Sequence, residues 1–153
     1  MIRPLRAADR EALAGVIASD TTFTAEEVGV ALELIDAAIA GDTSYEVRVA
    51  DDGGGPSGYI CFGRTPMTER SYDLYWIVVH ARARGRGLAR ALVEAMETEL
   101  RGRGGGNIRV ETSETEGYGA ARALYLRLGY PEAARLTDFY RPGDALITYY
   151  KVL

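Results

Sequence analysis

Apolar residues recur with two different periods along the chain, and the changes of period divide it into strands and helices. An apolar residue at every second position predicts a strand, whereas apolar residues at i, i+3, i+4 and i+7 predict a helix. The pattern predicts helices over about residues 9–19, 24–41, 88–101 and 118–129. It predicts strands over about residues 2–5, 45–51, 58–66, 71–79, 107–112, 130–139 and 145–152. The resulting order, β-α-α-β-β-β-α-β-α-β-β, indicates an α+β fold, and we expect residues 1–153 to form one domain.

Local signals mark the ends of two of these helices. Thr24 and Glu27 have the spacing of a capping box, in which each side chain accepts the backbone N–H of the other residue. Gly41 ends that helix, and Gly129 supplies a stop for the last one. These signals support the helix boundaries independently of the apolar pattern.

The stretch from Ser71 to Leu100 carries the clearest chemical signal. Its apolar strand leads into a loop rich in arginine and glycine, and an amphipathic helix follows the loop. Glycines let the main chain approach a ligand closely, and the first N–H groups of a helix have no partner within it. The loop arginines Arg82, Arg84 and Arg86 add positive charge that suits phosphate. The stretch therefore predicts a site for a phosphorylated ligand.

Two common phosphate-binding motifs do not fit this loop. The chain contains no G-x-x-x-x-G-K-S/T, the motif of a nucleotide P-loop. A dinucleotide fingerprint would need a third glycine where Arg90 stands, and it would follow the first strand. What the loop does contain is Arg82-x-x-Gly85-x-Gly87. That spacing resembles the acetyl-CoA loop of the GNAT N-acetyltransferase superfamily, Q/R-x-x-G-x-G/A.

Two further features carry the same resemblance. The predicted order of elements matches the GNAT fold over almost the whole chain. Residues 118–130 are also similar to N-x-x-A-x-x-x-Y-x-x-x-G-F, a string that family members commonly carry. Ala121, Tyr125 and Gly129 match it, whereas Tyr118 stands in place of the asparagine. The hydrogen bond that such an asparagine makes to the pantetheine arm is therefore not carried over.

The resemblance implies a mixed, mostly antiparallel sheet flanked by about four helices. It also implies an acyltransferase that moves the acetyl group of acetyl-CoA to a primary amine of a peptide, a protein or a small molecule. The amine would attack the thioester directly, in a cleft where strands 72–79 and 107–112 diverge. The implied donor-site residues are Ile77, Val78, Val79, Arg82, Arg84, Gly85, Arg86, Gly87, Leu88 and Ala89.

Tyr125 is the candidate general acid. In GNAT enzymes the tyrosine at this position points its hydroxyl at the thioester sulfur, and a phenol can protonate a departing thiolate. The alternative is a core tyrosine with a satisfied hydroxyl, because Tyr125 lies on the apolar face of its predicted helix.

Glu111 is the candidate general base, and its place resembles that in the ribosomal-protein alanine N-acetyltransferase branch of the superfamily. A carboxylate half-buried beside the acetyl site could accept the proton of the amine, directly or through water. Alternatively, Glu111 forms an ion pair with Arg109 or Arg122. Asp73 and Tyr75 in the central strand are reserve candidates, and some family members need only water.

Two aromatic residues are candidates for contact with the acceptor. Residues 138–144 resemble the last hairpin of N-terminal-amine acetyltransferases, where a tyrosine contacts the peptide. Tyr140 carries a hydroxyl there, whereas its neighbour Phe139 does not. Trp76 is the second candidate. The alternatives are an ordinary Pro-Gly turn for the hairpin and core packing for the tryptophan.

Composition and charge narrow the choice of partners. The net charge of −4 argues against a general nucleic-acid binder, despite the local arginines. No stretch approaches the length of a membrane span, and the first residues lack the apolar run of a signal peptide. We therefore expect a cytoplasmic protein without nucleic-acid or membrane partners, and a homodimer is left open. The lone His80 has no metal ligand at a suitable spacing, so we expect no metal.

One alternative and one further expectation accompany this interpretation. Loss of the pantetheine-site asparagine favours a non-catalytic acetyl-CoA-binding domain with a regulatory role. Cys61, the one cysteine, lies among apolar neighbours and is expected to be a buried strand thiol rather than a nucleophile.

Overall fold

The computed structural model describes all 153 residues, and seven strands form its sheet. Their bounds are β1 (Ile2–Pro4), β2 (Glu46–Asp51), β3 (Pro56–Arg64), β4 (Ser71–Val79), β5 (Asn107–Ser113), β6 (Glu132–Arg141) and β7 (Asp144–Val152). The order across the sheet is β1-β2-β3-β4-β5-β7-β6. β4 and β5 are parallel, and every other neighbouring pair is antiparallel. The predicted mixed, mostly antiparallel sheet is therefore confirmed.

Four helices flank the sheet, and they are α1 (Arg10–Ala18), α2 (Ala25–Ile39), α3 (Leu88–Gly102) and α4 (Gly119–Arg127). The predicted order of elements is confirmed, and the predicted boundaries lie within two residues of the observed ones. The capping box at the start of α2 is present, because Thr24 N–H donates to Glu27 Oε1 at 3.1 Å and Glu27 N–H donates to Thr24 Oγ1 at 3.2 Å. No helix is both long and apolar enough to cross a membrane.

The two faces of the sheet bury separate cores, because side chains alternate along each strand. Tyr59 and Cys61 of β3 pack under α1 and α2, whereas Ile60 and Phe62 of the same strand pack under α3 and α4. Each fully buried apolar side chain of this size stabilises the fold by roughly 1.5–3 kcal/mol. The sheet therefore lies between two layers of helices, and the parts of it that the helices leave accessible are its edges and its central split.

That split lies between β4 and β5. Their parallel pairing ends where Leu74 meets Val110, and beyond that point β4 stays with β3 while β5 stays with β7. A bulge in β4 leaves Tyr75 without a partner in β3, and such a bulge bends the strand. The predicted divergence of the two strands is confirmed, and it opens a cleft in the middle of the sheet.

The outer strand β6 is irregular. All ten of its residues are exposed, and its register with β7 jumps between Leu136 and Arg141, so that residues 137–140 arch away from the sheet. Asp138 in this β6 arch has a left-handed φ of 55°. The arch carries Tyr140, on which the charges of Glu111 in β5 and Glu27 in α2 act.

Candidate active site

A cavity of about 440 Å³ lies where β4 ends and α3 begins. We call it the donor cavity. Eight of the ten predicted donor-site residues line it, and they are Ile77, Val78, Val79, Arg84, Gly85, Gly87, Leu88 and Ala89. Arg82 and Arg86 belong to the same loop but do not line the cavity. Four fifths of the predicted set thus surround one space.

The loop after β4 is shaped to expose its backbone to that space. Gly85 and Gly87 adopt left-handed φ values of 76° and 74°, which cost a residue with a side chain about 1–2 kcal/mol. A Cβ added to either glycine would meet no atom within 4 Å, so open space lies beside the backbone. Gly87 caps α3 without a side-chain hydrogen bond, which leaves the first N–H groups of the helix free. Such a helix start binds anions.

Further charged residues around the donor cavity were not predicted. Arg90 and Arg127 line it, as does Asp20 from the connection between α1 and α2. Asp20 Oδ2 lies 3.1 Å from Arg84 Nη2, so the carboxylate occupies one of the predicted phosphate contacts. No local motif signals Asp20, because it reaches the loop only through the tertiary fold. His80 is a loop residue, and its Nδ1 accepts a backbone N–H at 3.2 Å.

The end of β4 presents two backbone donors to the cleft. His80 N–H donates to the carbonyl of Ser57 at 2.8 Å, so this residue faces β3. Backbone groups alternate in direction along a strand, and those of Val78 therefore also face β3. The N–H groups of Ile77 and Val79 then point away from β3, into the split between β4 and β5. Of the three predicted strand residues, these two have free backbone donors.

Tyr125 is almost fully buried, with 4% of its surface exposed. Its ring lies 6.3 Å from that of Tyr130 and 5.6 Å from that of Tyr149, measured between centroids. Burial raises the pKa of the Tyr125 hydroxyl, with a smaller contribution from Tyr149. Its helical neighbours Leu124 and Leu128 line the donor cavity, while the tyrosine itself packs beside it. The hydroxyl is therefore a protonated phenol at neutral pH, next to the donor cavity.

Glu111 is partly exposed, with 45% of its side-chain surface accessible, because β5 turns this position away from the buried face of the sheet. Arg109 Nε lies 3.7 Å from Glu111 Oε1, which is the alternative ion pair. Arg122 instead donates to two backbone carbonyls. The structure therefore shows the alternative ion pair with Arg109, and the role of Glu111 as a base stays a prediction.

The reserve candidates are already engaged. Asp73 Oδ1 accepts from Arg109 Nε at 2.7 Å, and Asp73 Oδ2 accepts from Thr65 Oγ1 at 2.8 Å. The ring of Tyr75 lies 5.5 Å from that of Tyr45, and burial raises the pKa of the Tyr75 hydroxyl. Both residues therefore have structural partners at the β4 bulge.

Aromatic residues meet on the other side of the cleft. The rings of Phe23 and Trp76 are 5.2 Å apart in a T-shaped pair, and that of Phe23 is 6.4 Å from Tyr118. The hydroxyl of Tyr118 donates to Glu27 Oε2 in α2. Trp76 thus packs against the α1–α2 core and against Phe23, which is the alternative core role, and its contact with the acceptor stays a prediction.

Tyr140 lies at the same place. It is 44% exposed and forms a T-shaped pair with Phe139, with ring centroids 5.1 Å apart. Burial raises the pKa of Tyr140, and so do the nearby charges of Glu111 and Glu27. We define the aromatic-acidic cluster as Phe23, Glu27, Trp76, Glu111, Tyr118 and Tyr140. Sequence reasoning predicted three of these residues for the site and missed the other three.

A larger groove, of about 510 Å³, lies at the far end of the sheet, between the end of α2 and the edge formed by β1 and β2. It contains none of the predicted site residues, and neither the glycine loop nor the β4–β5 split reaches it. The candidate functional residues therefore lie at the donor cavity and in the aromatic-acidic cluster, not in this groove.

A family model described as Acetyltransferase (GNAT) domain matches residues 43–132. The match includes the glycine loop, α3 and α4. A GNAT-family protein from Desulfovibrio desulfuricans is 35% identical over 99% of this chain and 98% of its own, with a TM-score of 0.94. The chain belongs to the GNAT acetyltransferase family.

Two other solved structures share the GNAT fold. The ribosomal-protein-S18-alanine N-acetyltransferase of Escherichia coli is 22% identical, with 99% of this chain and 92% of that chain covered and a TM-score of 0.79. A Salmonella typhimurium protein solved with its cofactor acetyl-CoA is 20% identical, with 100% and 93% covered and a TM-score of 0.77. No curated protein matches the sequence. At these identities the likeness is one of fold.

Membership of the GNAT family confirms the predicted fold and the predicted class of enzyme, an acetyl-CoA-dependent N-acetyltransferase. The donor cavity of this GNAT protein also fits the donor. Open space beside left-handed glycines, a free helix start and cavity-lining arginines suit a pyrophosphate, and two free N–H groups of β4 suit an amide-bearing arm.

Proposed function

We propose that this GNAT enzyme transfers the acetyl group of acetyl-CoA to a primary amine, which enters the β4–β5 cleft from the side of the aromatic-acidic cluster. The observation that carries the proposal is the continuity of the donor cavity with the two free N–H groups of β4. A single sheet that contains all seven strands also supports one domain.

The donor is held by backbone and charge. The amides of the loop and of the first turn of α3 bind the pyrophosphate, with Gly85 and Gly87 keeping the backbone accessible. Arg84 adds a charge-assisted hydrogen bond to phosphate when it leaves Asp20. The rim arginines Arg82 and Arg86 contribute longer-range attraction only.

Acetyl-CoA supplies an acetyl group activated as a thioester, and a C–N bond forms as the C–S bond breaks. The N–H groups of Ile77 and Val79 stabilise negative charge on the acetyl oxygen, as fixed backbone donors do in oxyanion holes. Tyr125 gives its hydroxyl proton to the departing sulfur. The proton lost by the attacking amine leaves through water or Glu111 and restores the phenol, so the products are an N-acetylated amine and a free thiol.

The experiment is a calorimetric titration with acetyl-CoA, followed by a thiol-release assay with amines and peptides as acceptors. We expect the wild type to bind the donor and to release thiol with at least one amine. Gly87→Val is the control, because a β-branched residue at a φ of 74° distorts the loop, and its donor affinity should fall roughly tenfold. Donor binding without release from any amine would favour the non-catalytic alternative, and failure to bind would refute the proposal.

Two expectations accompany the proposal as predictions. A cytoplasmic location is checked by cell fractionation, and a homodimer is checked by size-exclusion chromatography with light scattering. Neither is required for the cleft described above.

A further inference from the structure

We infer that Glu27 binds a second positive charge on the acceptor, so that small diamines are the preferred acceptors of this acetyltransferase. The inference rests on the proposed function and concerns the same cleft. Glu27 differs from the other carboxylates there in its partners. Asp20, Glu111 and Asp144 each have an arginine within 4.0 Å, whereas Glu27 has no lysine or arginine within that distance. Its negative charge is free to bind a cation.

Glu27 is also held in a fixed orientation. Its Oε1 accepts the N–H of Thr24 at 3.1 Å, and its Oε2 accepts the hydroxyl of Tyr118. Both donors are neutral, so they orient the carboxylate without cancelling its charge. An ionised carboxylate can accept about four hydrogen bonds, which leaves about two for a ligand. A positioned anion loses little conformational freedom when it binds an ammonium group.

Aromatic rings adjoin this carboxylate. Tyr118 contacts Glu27 directly. The ring of Phe23 lies 6.4 Å from that of Tyr118 and 5.2 Å from that of Trp76, measured between centroids. Aromatic faces attract ammonium ions. A carboxylate in contact with a cluster of aromatic side chains is therefore suited to an alkylammonium ion rather than to a metal ion.

The bound charge is expected to be the amine that does not react. A carboxylate stabilises the protonated form of a neighbouring amine, and a protonated nitrogen has no lone pair with which to attack a thioester. Glu27 therefore suits the distal nitrogen. Glu111 lies on β5, one residue beyond the last residue of β5 that pairs with β4, and Arg109 partly offsets its charge. A reacting nitrogen near Glu111 is therefore less strongly held as a cation than one at Glu27.

The same contacts favour a small acceptor over a long chain. The Tyr118–Glu27 hydrogen bond joins the start of α2 to the segment before α4. That segment is packed against the α1–α2 connection, since a Cβ on Gly117 would lie only 2.6 Å from Thr22 Cγ2. These contacts therefore bound the cluster on this side, and we expect that boundary to disfavour an extended peptide.

The test compares acceptors that differ in one charge. At saturating acetyl-CoA, kcat/KM is measured for 1,4-diaminobutane and for 4-amino-1-butanol, which replaces the distal ammonium by a hydroxyl group of similar size. We expect at least tenfold higher kcat/KM for the diamine, as a charge-assisted contact gives about this factor. A peptide with a free N-terminal alanine is the third acceptor. A ratio near one, or a peptide that outperforms the diamine, would overturn the inference.

The variant Glu27→Gln isolates the charge, because glutamine also serves in a capping box. We expect the diamine KM to rise about tenfold with a smaller change in kcat, and the diamine preference to fall close to one. The matched control is Glu26→Gln, an exposed neighbour without an ion pair, which should keep the preference. An unchanged preference in Glu27→Gln would refute the assignment. Circular dichroism melts confirm that both variants are folded.

Failure of the proposed function is distinguished by binding. If the wild type releases no thiol with any acceptor, the diamine is titrated calorimetrically into protein saturated with coenzyme A. Binding that weakens about tenfold in Glu27→Gln but not in Glu26→Gln supports the cation site without catalysis. Equal binding by the two variants refutes it.

Discussion

At the donor end of the cleft, the predicted donor-site residues lie in one continuous piece of chain, residues 77–89, to which Asp20 and α4 add further lining. The aromatic-acidic cluster instead takes its side chains from separated segments of the chain. The donor end works mainly through backbone N–H groups that glycines and a helix start leave free. The cluster works through aromatic and acidic side chains that only the tertiary fold brings together. Under the proposed function, donor binding would thus depend mainly on local backbone geometry, whereas the choice of acceptor would depend on contacts between distant segments of the chain.

The strongest test of this comparison is Tyr125→Phe, which removes the hydroxyl group of the candidate general acid. We expect kcat to fall about 100-fold, because general acid catalysis contributes roughly 100- to 10,000-fold. The dissociation constant of acetyl-CoA, measured by calorimetry, should change less than threefold, since the ring and its packing remain. Tyr45→Phe, which loses a hydroxyl outside the cleft, is the matched control.

The pH profile tests the protonation state that the general-acid role requires. Burial raises the pKa of Tyr125 above its ordinary value of 10.0, so the phenol keeps its proton throughout the neutral and mildly alkaline range. We therefore expect no alkaline loss of kcat due to Tyr125 below about pH 10. A wild-type alkaline limb below that pH that disappears in Tyr125→Phe would contradict the assignment.

The donor end was predictable because its signals are local. The apolar strand, the Arg82-x-x-Gly85-x-Gly87 spacing and the helix after it lie within 30 residues, and each keeps its meaning in the fold. The cluster was not predictable in the same way. Thr24-x-x-Glu27 was correctly interpreted as a cap, but the bond from Tyr118 to Glu27 spans 91 residues, and no spacing rule anticipates it.

Glu111 shows that a correctly predicted strand does not by itself give the surroundings of a side chain. The alternation of Ile108 and Val110 on the buried face of β5 puts Glu111 on the opposite face. Whether that face is covered depends on where α1 and α2 lie, and these helices pack against β2, β3 and β4. The ion pair of Glu111 with Arg109 and its degree of exposure could therefore be read only from the tertiary structure.

A second test acts at the cluster alone. Phe23→Ala removes the ring between Trp76 and Tyr118, and we expect the acceptor KM to rise about tenfold through lost cation–π and packing contacts. The dissociation constant of acetyl-CoA should be unchanged. Leu126→Ala, which truncates an exposed residue of α4 outside the cleft, controls for general loss of stability. An equal change at both ends would break the comparison.

A third, smaller effect concerns Asp20, the residue at which the two ends meet. Asp20→Asn frees Arg84 and removes a negative charge from the donor cavity. We expect acetyl-CoA to bind about two- to fivefold more tightly, because a partly exposed ion pair is worth about 0.2–1 kcal/mol. The gain should shrink in 0.5 M salt through screening. Asp42→Asn, far from the donor cavity, should show no gain.

The smallest expected effect is that of replacing Cys61. It tests whether acetyl transfer could pass through an acetylated cysteine in the core. Burial raises the pKa of this thiol to about 12, and none of its surface is exposed. A protonated, enclosed sulfur cannot accept an acetyl group from the donor cavity, since the thiolate is the nucleophile. Cys61→Ala should therefore keep kcat within twofold, while the small cavity it leaves lowers the free energy of unfolding by about 1 kcal/mol. Mass spectrometry of the wild type during turnover should find no acetylated cysteine, and a stable acetyl adduct at Cys61 would replace direct attack by a two-step transfer.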